Sequence, residues 1–315
     1  MLLYCFAKHC KNMIITVISK ERSGSTRFGQ IFSEIGFTVY DEIFHPKTPW
    51  CLHKRDLALG SLKGIVFPRE VVDAANESSD PLSMLPVESF FDGNPLRSGG
   101  IPVEFVSDLK ALDGGPILIT IFVGHLDAQT IADVCLISDH VLFLTRRPID
   151  SYISMIKAMA SGQFAAKGVN TTSLKPEIDP SKLIKYTDTL LLMNQSVLEC
   201  LLRSGIRDST WFVRYESWAN FNNDMQVSFV CGFLHALGAL PQSDYVSTLT
   251  ESRAFTSQLT KQDAEKDWRN KISNPKEVDQ YLQHMQHEAL SLEANAIINL
   301  AKSVFSKKLP MSARR

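Results

Sequence analysis

Residues 14–35, IITVISKERSGSTRFGQIFSEI, restrict the fold more than any other stretch of this 315-residue chain. Ile14 to Ile18 is a short apolar, β-branched run bounded by turn residues, the pattern of a buried strand. Glu21 to Thr26 (ERSGST) is a turn of small residues, and Phe28, Ile31, Phe32 and Ile35 then recur at helical spacing. A strand–loop–helix order turns several backbone N–H groups towards one point at the helix N-terminus, where the partial positive charge favours a phosphate or sulfate group. Gly24 lets the backbone approach an anion closely. Ser23, Ser25 and Thr26 add hydroxyls, and Arg22 adds a charge that can form a fork with an oxyanion. The Gly-Lys-Ser/Thr ending of a nucleotide-triphosphate loop is absent. SGST alone also suits an ordinary turn in which a serine caps the helix.

With 44% hydrophobic residues, the chain can bury a sizeable core as one domain over residues 1–315. A net charge of −1 gives no general reason to expect nucleic acid or a membrane surface as partner. No apolar run approaches the roughly 20 residues that cross a bilayer. The start, MLLYCFAKHCKNM, makes a poor signal peptide, so residues 1–13 read as a loose extension and 303–315 as a basic tail. The six cysteines form no CxxC pair, which fits thiols in a reducing cytoplasm. No metal is expected, because His45, Cys51 and His53 have no matching second pair.

Thr38 to Tyr40 reads as a second strand, with Asp41-Glu42 at its end. Ligand sites in open α/β sheets gather outside the carboxyl ends of strands, so this pair is either a candidate base or a solvated capping pair. Residues 44–115, rich in Pro, Gly and Ser, read as an irregular insertion with short helices that shapes a substrate site or simply packs on the surface. Pro116 to Val123 is a continuous apolar run, hence a buried parallel strand, and His125 follows it. A histidine there either takes a proton or serves as a structural hydrogen-bonding residue. Val141 to Thr145 is the next strand, and Pro148 suits the first turn of the helix after it. Arg146 and Ser154 could meet on one phosphate; the plainer alternative is an Arg–Asp pair and an ordinary helical serine. Lys182 to Leu202 is a long amphipathic helix, Trp211 to Tyr215 a strand, Met225 to Leu240 a core helix, and Lys276 to Lys302 a final helix. This alternation predicts a three-layer α/β domain with a mainly parallel sheet.

Four separated segments, in order, resemble those of the sulfotransferases that use 3′-phosphoadenosine 5′-phosphosulfate (PAPS). ERSGST resembles the phosphosulfate-binding loop, with Arg22 at its basic position. RRPIDSYIS resembles the 3′-phosphate motif through Arg146 and Ser154, and VRYES the motif that places a tyrosine, here Tyr215, near the adenine. KDWRN is similar to the cofactor-covering element, giving Trp268 and Arg269, with Lys261 upstream as a phosphate contact. RSGST followed by DEIFHP is closest in style to bacterial trehalose and Nod-factor sulfotransferases, in which a glutamate at the position of Glu42 acts as base. GHL instead resembles the catalytic-histidine motif of the cytosolic enzymes, so His125 is the other candidate. The chain departs from the family pattern at Glu21, at Arg27 and in the glycines missing around Lys266.

The resemblance implies a P-loop-like site that binds PAPS and releases its desulfated product, PAP. It implies in-line sulfuryl transfer to a hydroxyl or amine of a small-molecule or carbohydrate acceptor, without a metal. Arg22 would stabilise the departing phosphate, and a homodimer is common among relatives. Rival readings are a degenerate P-loop kinase, which would need a loop lysine, and a non-catalytic nucleotide-binding or scaffolding protein with the same fold.

Overall fold

The computed structural model describes residues 13–44, 101–162, 171, 173–239, 265–285 and 295–306. A strand that is apolar on both faces needs cover on both, and β1 (Ile14–Ser19), buried along its whole length, has it. It lies between β3 (Ile117–Phe122) and β4 (His140–Thr145), in register from Ile14 opposite Ile117 to Ser19 opposite Phe122. β2 (Thr38–Asp41) flanks β3 and β5 (Thr210–Arg214) flanks β4. The result is a five-stranded, all-parallel sheet in the order β2-β3-β1-β4-β5.

Alternate residues of β1 enter opposite cores, as the two-residue period of a strand dictates. Ile15 and Val17 pack with α1 (Ser25–Glu34) and α6 (Asn223–Ala236) through Phe28, Ile31, Phe32, Val230 and Leu234. Ile14 and Ile18 face the other core, supplied by α2 (Ile101–Asp113), α3 (Ala128–Leu136), α5 (Pro180–Arg203) and α8 (Ala296–Ser306). A third cluster joins α4 (Pro148–Ser161), the start of α5, the turn Trp268–Lys271 and α7 (Pro275–His284). Helices on both faces of a parallel sheet make the expected three-layer α/β architecture.

The departures from expectation are local. The tail of the expected insertion, Ile101–Asp113, is one continuous helix. Its Pro102 sits in the first turn, where a missing N–H leaves no acceptor unsatisfied. α3 carries no sequence signal as clear as its cap, in which Asp127 accepts from the Thr130 amide at 2.9 Å. Tyr215 opens a helical turn, Tyr215–Trp218, rather than ending β5. Within the span expected as one final helix, the described residues form two, α7 and α8. His45, Cys51, His53, Lys261 and most of the 44–115 segment lie outside the described residues. Among those described, no helix is long and apolar enough to cross a membrane, and no group of three or more His, Cys, Asp or Glu could hold a metal ion.

Arg27, unexpected at a helix start, ties two helices on one face together. Its guanidinium donates to Gln226 Oε1 at 2.9 Å, Gln30 Oε1 at 2.9 Å, Glu34 Oε1 at 3.2 Å and Asn223 Oδ1 at 3.2 Å. The Arg27 and Glu34 side chains are only 14% and 12% exposed, so removing one charge strands the other with little water. Arg27→Met should lower unfolding free energy by about 2–4 kcal/mol in urea titration, with Glu34→Gln costing less because an amide still accepts.

Candidate functional site

Five parallel strands end on one edge of the sheet, at Ser19, Asp41, Phe122, Thr145 and Arg214. The residues that follow them, including Arg22, Glu42, His125, Arg146 and Tyr215, therefore leave from the same edge, where parallel sheets hold ligands. The chain reverses its direction of travel at β1: from there it first crosses over β3 to reach β2, and after β3 it crosses over β1 to reach β4. The loop after β1 thus stands at the switch point.

That loop is built by backbone conformation rather than by a serine cap. Gly24, at φ 88°, is the N-cap of α1 and makes no side-chain cap bond, so the ordinary serine-capped turn is not formed. A β-carbon at Gly24 would lie 2.5 Å from Cδ2 and Cε2 of Tyr215, so both the left-handed backbone and the close ring require glycine. The Ser23 hydroxyl donates inward to the Lys20 carbonyl at 2.6 Å and also meets Ser19 Oγ. Ser25 is buried at the first helical position, while Thr26 is exposed. The first helical hydrogen bond runs from the Phe28 amide to the Gly24 carbonyl, 3.0 Å, which leaves the amides of Ser25, Thr26 and Arg27 without intrahelical acceptors.

Around this loop the structure gathers residues that are far apart in sequence. Arg22 Nε donates to Ser154 Oγ at 3.1 Å. Arg146 Nη1 donates to the Arg22 carbonyl at 2.6 Å, and its guanidinium carbon lies 4.4 Å from the centre of the Tyr215 ring. Burial, and then the adjacent Arg146 charge, hold Arg22 below the ordinary arginine value against the opposing influence of Tyr215 and Glu42. Four polar atoms here are buried without a hydrogen-bond partner: Thr145 Oγ1, Arg146 Nε, Glu216 Oε2 and Trp218 Nε1. Buried polar groups left unpaired cost about 1–3 kcal/mol each, so four at one strand edge call for a functional account.

Among the described residues, only Arg22 (φ 67°) and Glu42 (φ 55°) are non-glycine residues with positive φ. Left-handed backbone at such residues costs on the order of 1–3 kcal/mol and gathers at functional sites. Burial pushes the Glu42 carboxyl well above the glutamate range; the charges of Asp41 and Glu21 add to this, and Arg22 opposes it. Burial likewise raises Asp41. Glu21, the departure before the loop, pairs with Lys20 at 2.5 Å with its side chain 40% exposed. His125 is 3% exposed beyond β3, its ring 5.0 Å from that of Phe122.

The covering element is placed differently from the phosphate residues. Trp268 is 1% exposed within the third core cluster. Arg269 forms a fork with Asp279, at 2.8 Å and 2.9 Å, and lies over the Trp268 ring. Sequence reasoning missed Tyr186 on α5, half-buried among the charges of Glu21 and Arg146 and the Ser151 hydroxyl, its ring centre 5.2 Å from that of Tyr152 at a tilt of 47°. It also missed Met193, whose Cε would lie 2.5 Å from a β-carbon at Gly124. Both sit seven residues apart on one face of α5, a spacing the amphipathic pattern contains but does not single out.

No family model and no curated protein matches the sequence.

The raised Glu42 has a measurable consequence. Its folded value lies above its unfolded one, about 4.3, so folding opposes its ionisation. The cost is absent well below that pH and grows as pH rises towards the folded value. Glu42→Gln removes it, so the variant should gain melting temperature over the wild type at pH 8 and show a smaller gain at pH 5. A constant difference across that range would contradict a carboxyl held protonated by burial.

Proposed function

We propose that the protein is a PAPS-dependent sulfotransferase. The observation that carries this reading is the convergence of two guanidinium groups, Arg22 and Arg146, beside Ser154 and the open amides of α1. Two like charges in a partly buried place repel each other, and an anion between them turns that repulsion into binding. The order of the four sequence motifs says which anion: the phosphosulfate towards Ser23–Thr26 and Arg22, the 3′-phosphate towards Arg146 and Ser154, and the adenine towards Tyr215.

In the reaction an acceptor oxygen or nitrogen attacks sulfur in line, and the bond from sulfur to the bridging phosphate oxygen breaks with its electrons on PAP. Arg22 and the amides of residues 24–26 offset the charge that grows on that oxygen. The acceptor proton passes to a carboxylate or an imidazole. Glu42 is the first choice because it shares the electrostatic environment of Arg22 and follows β2 at the same edge of the sheet. His125, packed against Phe122, is the second. The acceptor is a small molecule or carbohydrate, approached from the side of Glu42, Tyr186 and Met193.

Calorimetric titration tests the donor. PAP should bind at micromolar concentration and ATP much more weakly, and Arg146→Ala should weaken PAP about 10-fold or more. Preference for ATP would turn the assignment to a kinase, and binding of neither to a non-catalytic fold.

Kinetics then separate the bases. Loss of the true base should cut turnover by about 100-fold or more while PAP affinity holds. A Glu42 base, because its carboxyl is pushed up, gives turnover that still climbs above neutral pH; turnover already level at neutral pH would count against it.

A further inference from the structure

Behind the proposed 3′-phosphate site lies an ion cluster that neither the phosphate reading nor the base uses. Asp150, in the first turn of α4, is 4% exposed. One oxygen takes Arg147 Nε at 2.5 Å and the other takes Lys271 Nζ at 2.7 Å. Lys271 is itself 5% exposed and comes from the turn 121 residues further along the chain. Arg147 extends the cluster, with its amide donating to Glu216 Oε1 at 2.9 Å and Nη2 to the Lys266 carbonyl at 3.0 Å. Trp268 and Ile272, on either side of Lys271, are packed with Ile149, Tyr152 and Ile153 of α4.

A carboxylate in this place competes with any phosphate that Arg146 is to hold. Burial opposes its ionisation, yet the charges of Arg146, Lys271 and Arg147 outweigh that and keep it ionised. Which cation carries the carboxylate then decides what Arg146 has left for a ligand. Lys271 and Arg147 occupy both oxygens in the structure, so Arg146 is turned instead onto the Arg22 carbonyl and the Tyr215 ring.

We infer that Lys271 is a positioning residue: by holding the Asp150 carboxylate, it keeps Arg146 off that carboxylate and available to a ligand phosphate, and fastens the 265–272 segment to that site. This inference rests on the 3′-phosphate reading above. Without Lys271, one oxygen of a buried carboxylate loses its hydrogen-bonded cation, and Arg146, whose charge already acts on Asp150, is drawn to replace it.

The test is titration of the full chain with PAP and with adenosine 5′-monophosphate, which lacks the 3′-phosphate. Wild type should prefer PAP. Lys271→Met should weaken PAP by about 10-fold and the monophosphate by less than about 3-fold, because only the 3′-phosphate competes with Asp150. Lys271→Arg, and Lys271→Met combined with Asp150→Asn, should restore the preference, the second by removing the competitor. Equal weakening of both ligands, or an unchanged ratio, would overturn the inference and leave Lys271 a stabilising contact. A wild type that does not discriminate between the ligands would overturn the phosphate reading itself, and the inference with it. Thermal melting of each variant identifies any that fails to fold, and the charge-free double variant keeps the comparison available in that case.

Discussion

Parallel pairing of β1 with β3 on one side and β4 on the other governs the rest of the molecule. It forces every crossover to run back over a sheet face, which places helices on both faces. It also sends all five carboxyl ends to one edge. A residue that follows any strand is then within reach of residues following its neighbours, whatever the sequence separation. Arg22 and Ser154, 132 residues apart, share a hydrogen bond for this reason. The site is a consequence of strand order before it is a consequence of side-chain chemistry.

What the edge collects is unfavourable in itself. Two arginine charges act on one another, two non-glycine residues hold left-handed backbone, and a glutamate is deprived of water. Each raises the energy of the folded state, and beyond the bond from Arg146 to the Arg22 carbonyl they are held by well-packed surroundings. Fully buried Phe28, Phe32 and Trp218 lie beneath the loop, and the 0%-exposed Ile15 and Ile18 anchor the strand that leads into it. In the proposed reading an anion would relieve the arginine repulsion while these supports stay in place, as a preorganised site with a low reorganisation cost requires.

Much of this was legible in the sequence, because the strongest periodicities belong to the elements that matter most. β1, β3 and β4 are continuous apolar runs, and α1 and α5 repeat every three to four residues, so layer order and the loop at Gly24 follow from pattern alone. The motifs put Arg146 and Ser154 together on one phosphate, whereas in the structure Ser154 accepts from Arg22 and Arg146 donates to the Arg22 carbonyl; those bonds depend on the stagger of β1 against β4, which no local pattern encodes. Tyr186 and Met193 were hidden because a helix facing a site looks like a helix facing a core. Arg269 shows another limit of pattern reading: its position in the covering motif suggests a ligand contact, and nothing in that motif shows the fork that Asp279, ten residues later, makes with it. An acidic partner one helix away cannot be anticipated from a five-residue motif.

The two halves of the proposed site oppose each other electrostatically, and this gives the sulfotransferase reading an internal constraint. Glu42 and Arg22 lie within each other's fields. An anionic donor placed on Arg22 would offset the charge that favours ionised Glu42, so donor binding would raise the proton affinity of Glu42. By linkage the reverse holds equally: ionising Glu42 weakens the hold on the donor. A base that binds its proton more tightly once the donor is seated is a stronger acceptor when the acceptor hydroxyl acidifies in the transition state, at the cost of a smaller ionised fraction beforehand. Asp41 and Glu21 push in the same direction as the donor. On the proposed sulfotransferase reading, the acidic side of the edge is therefore suited to taking up a proton late, as sulfur–oxygen bond formation makes the acceptor acidic, rather than to generating a free alkoxide in advance.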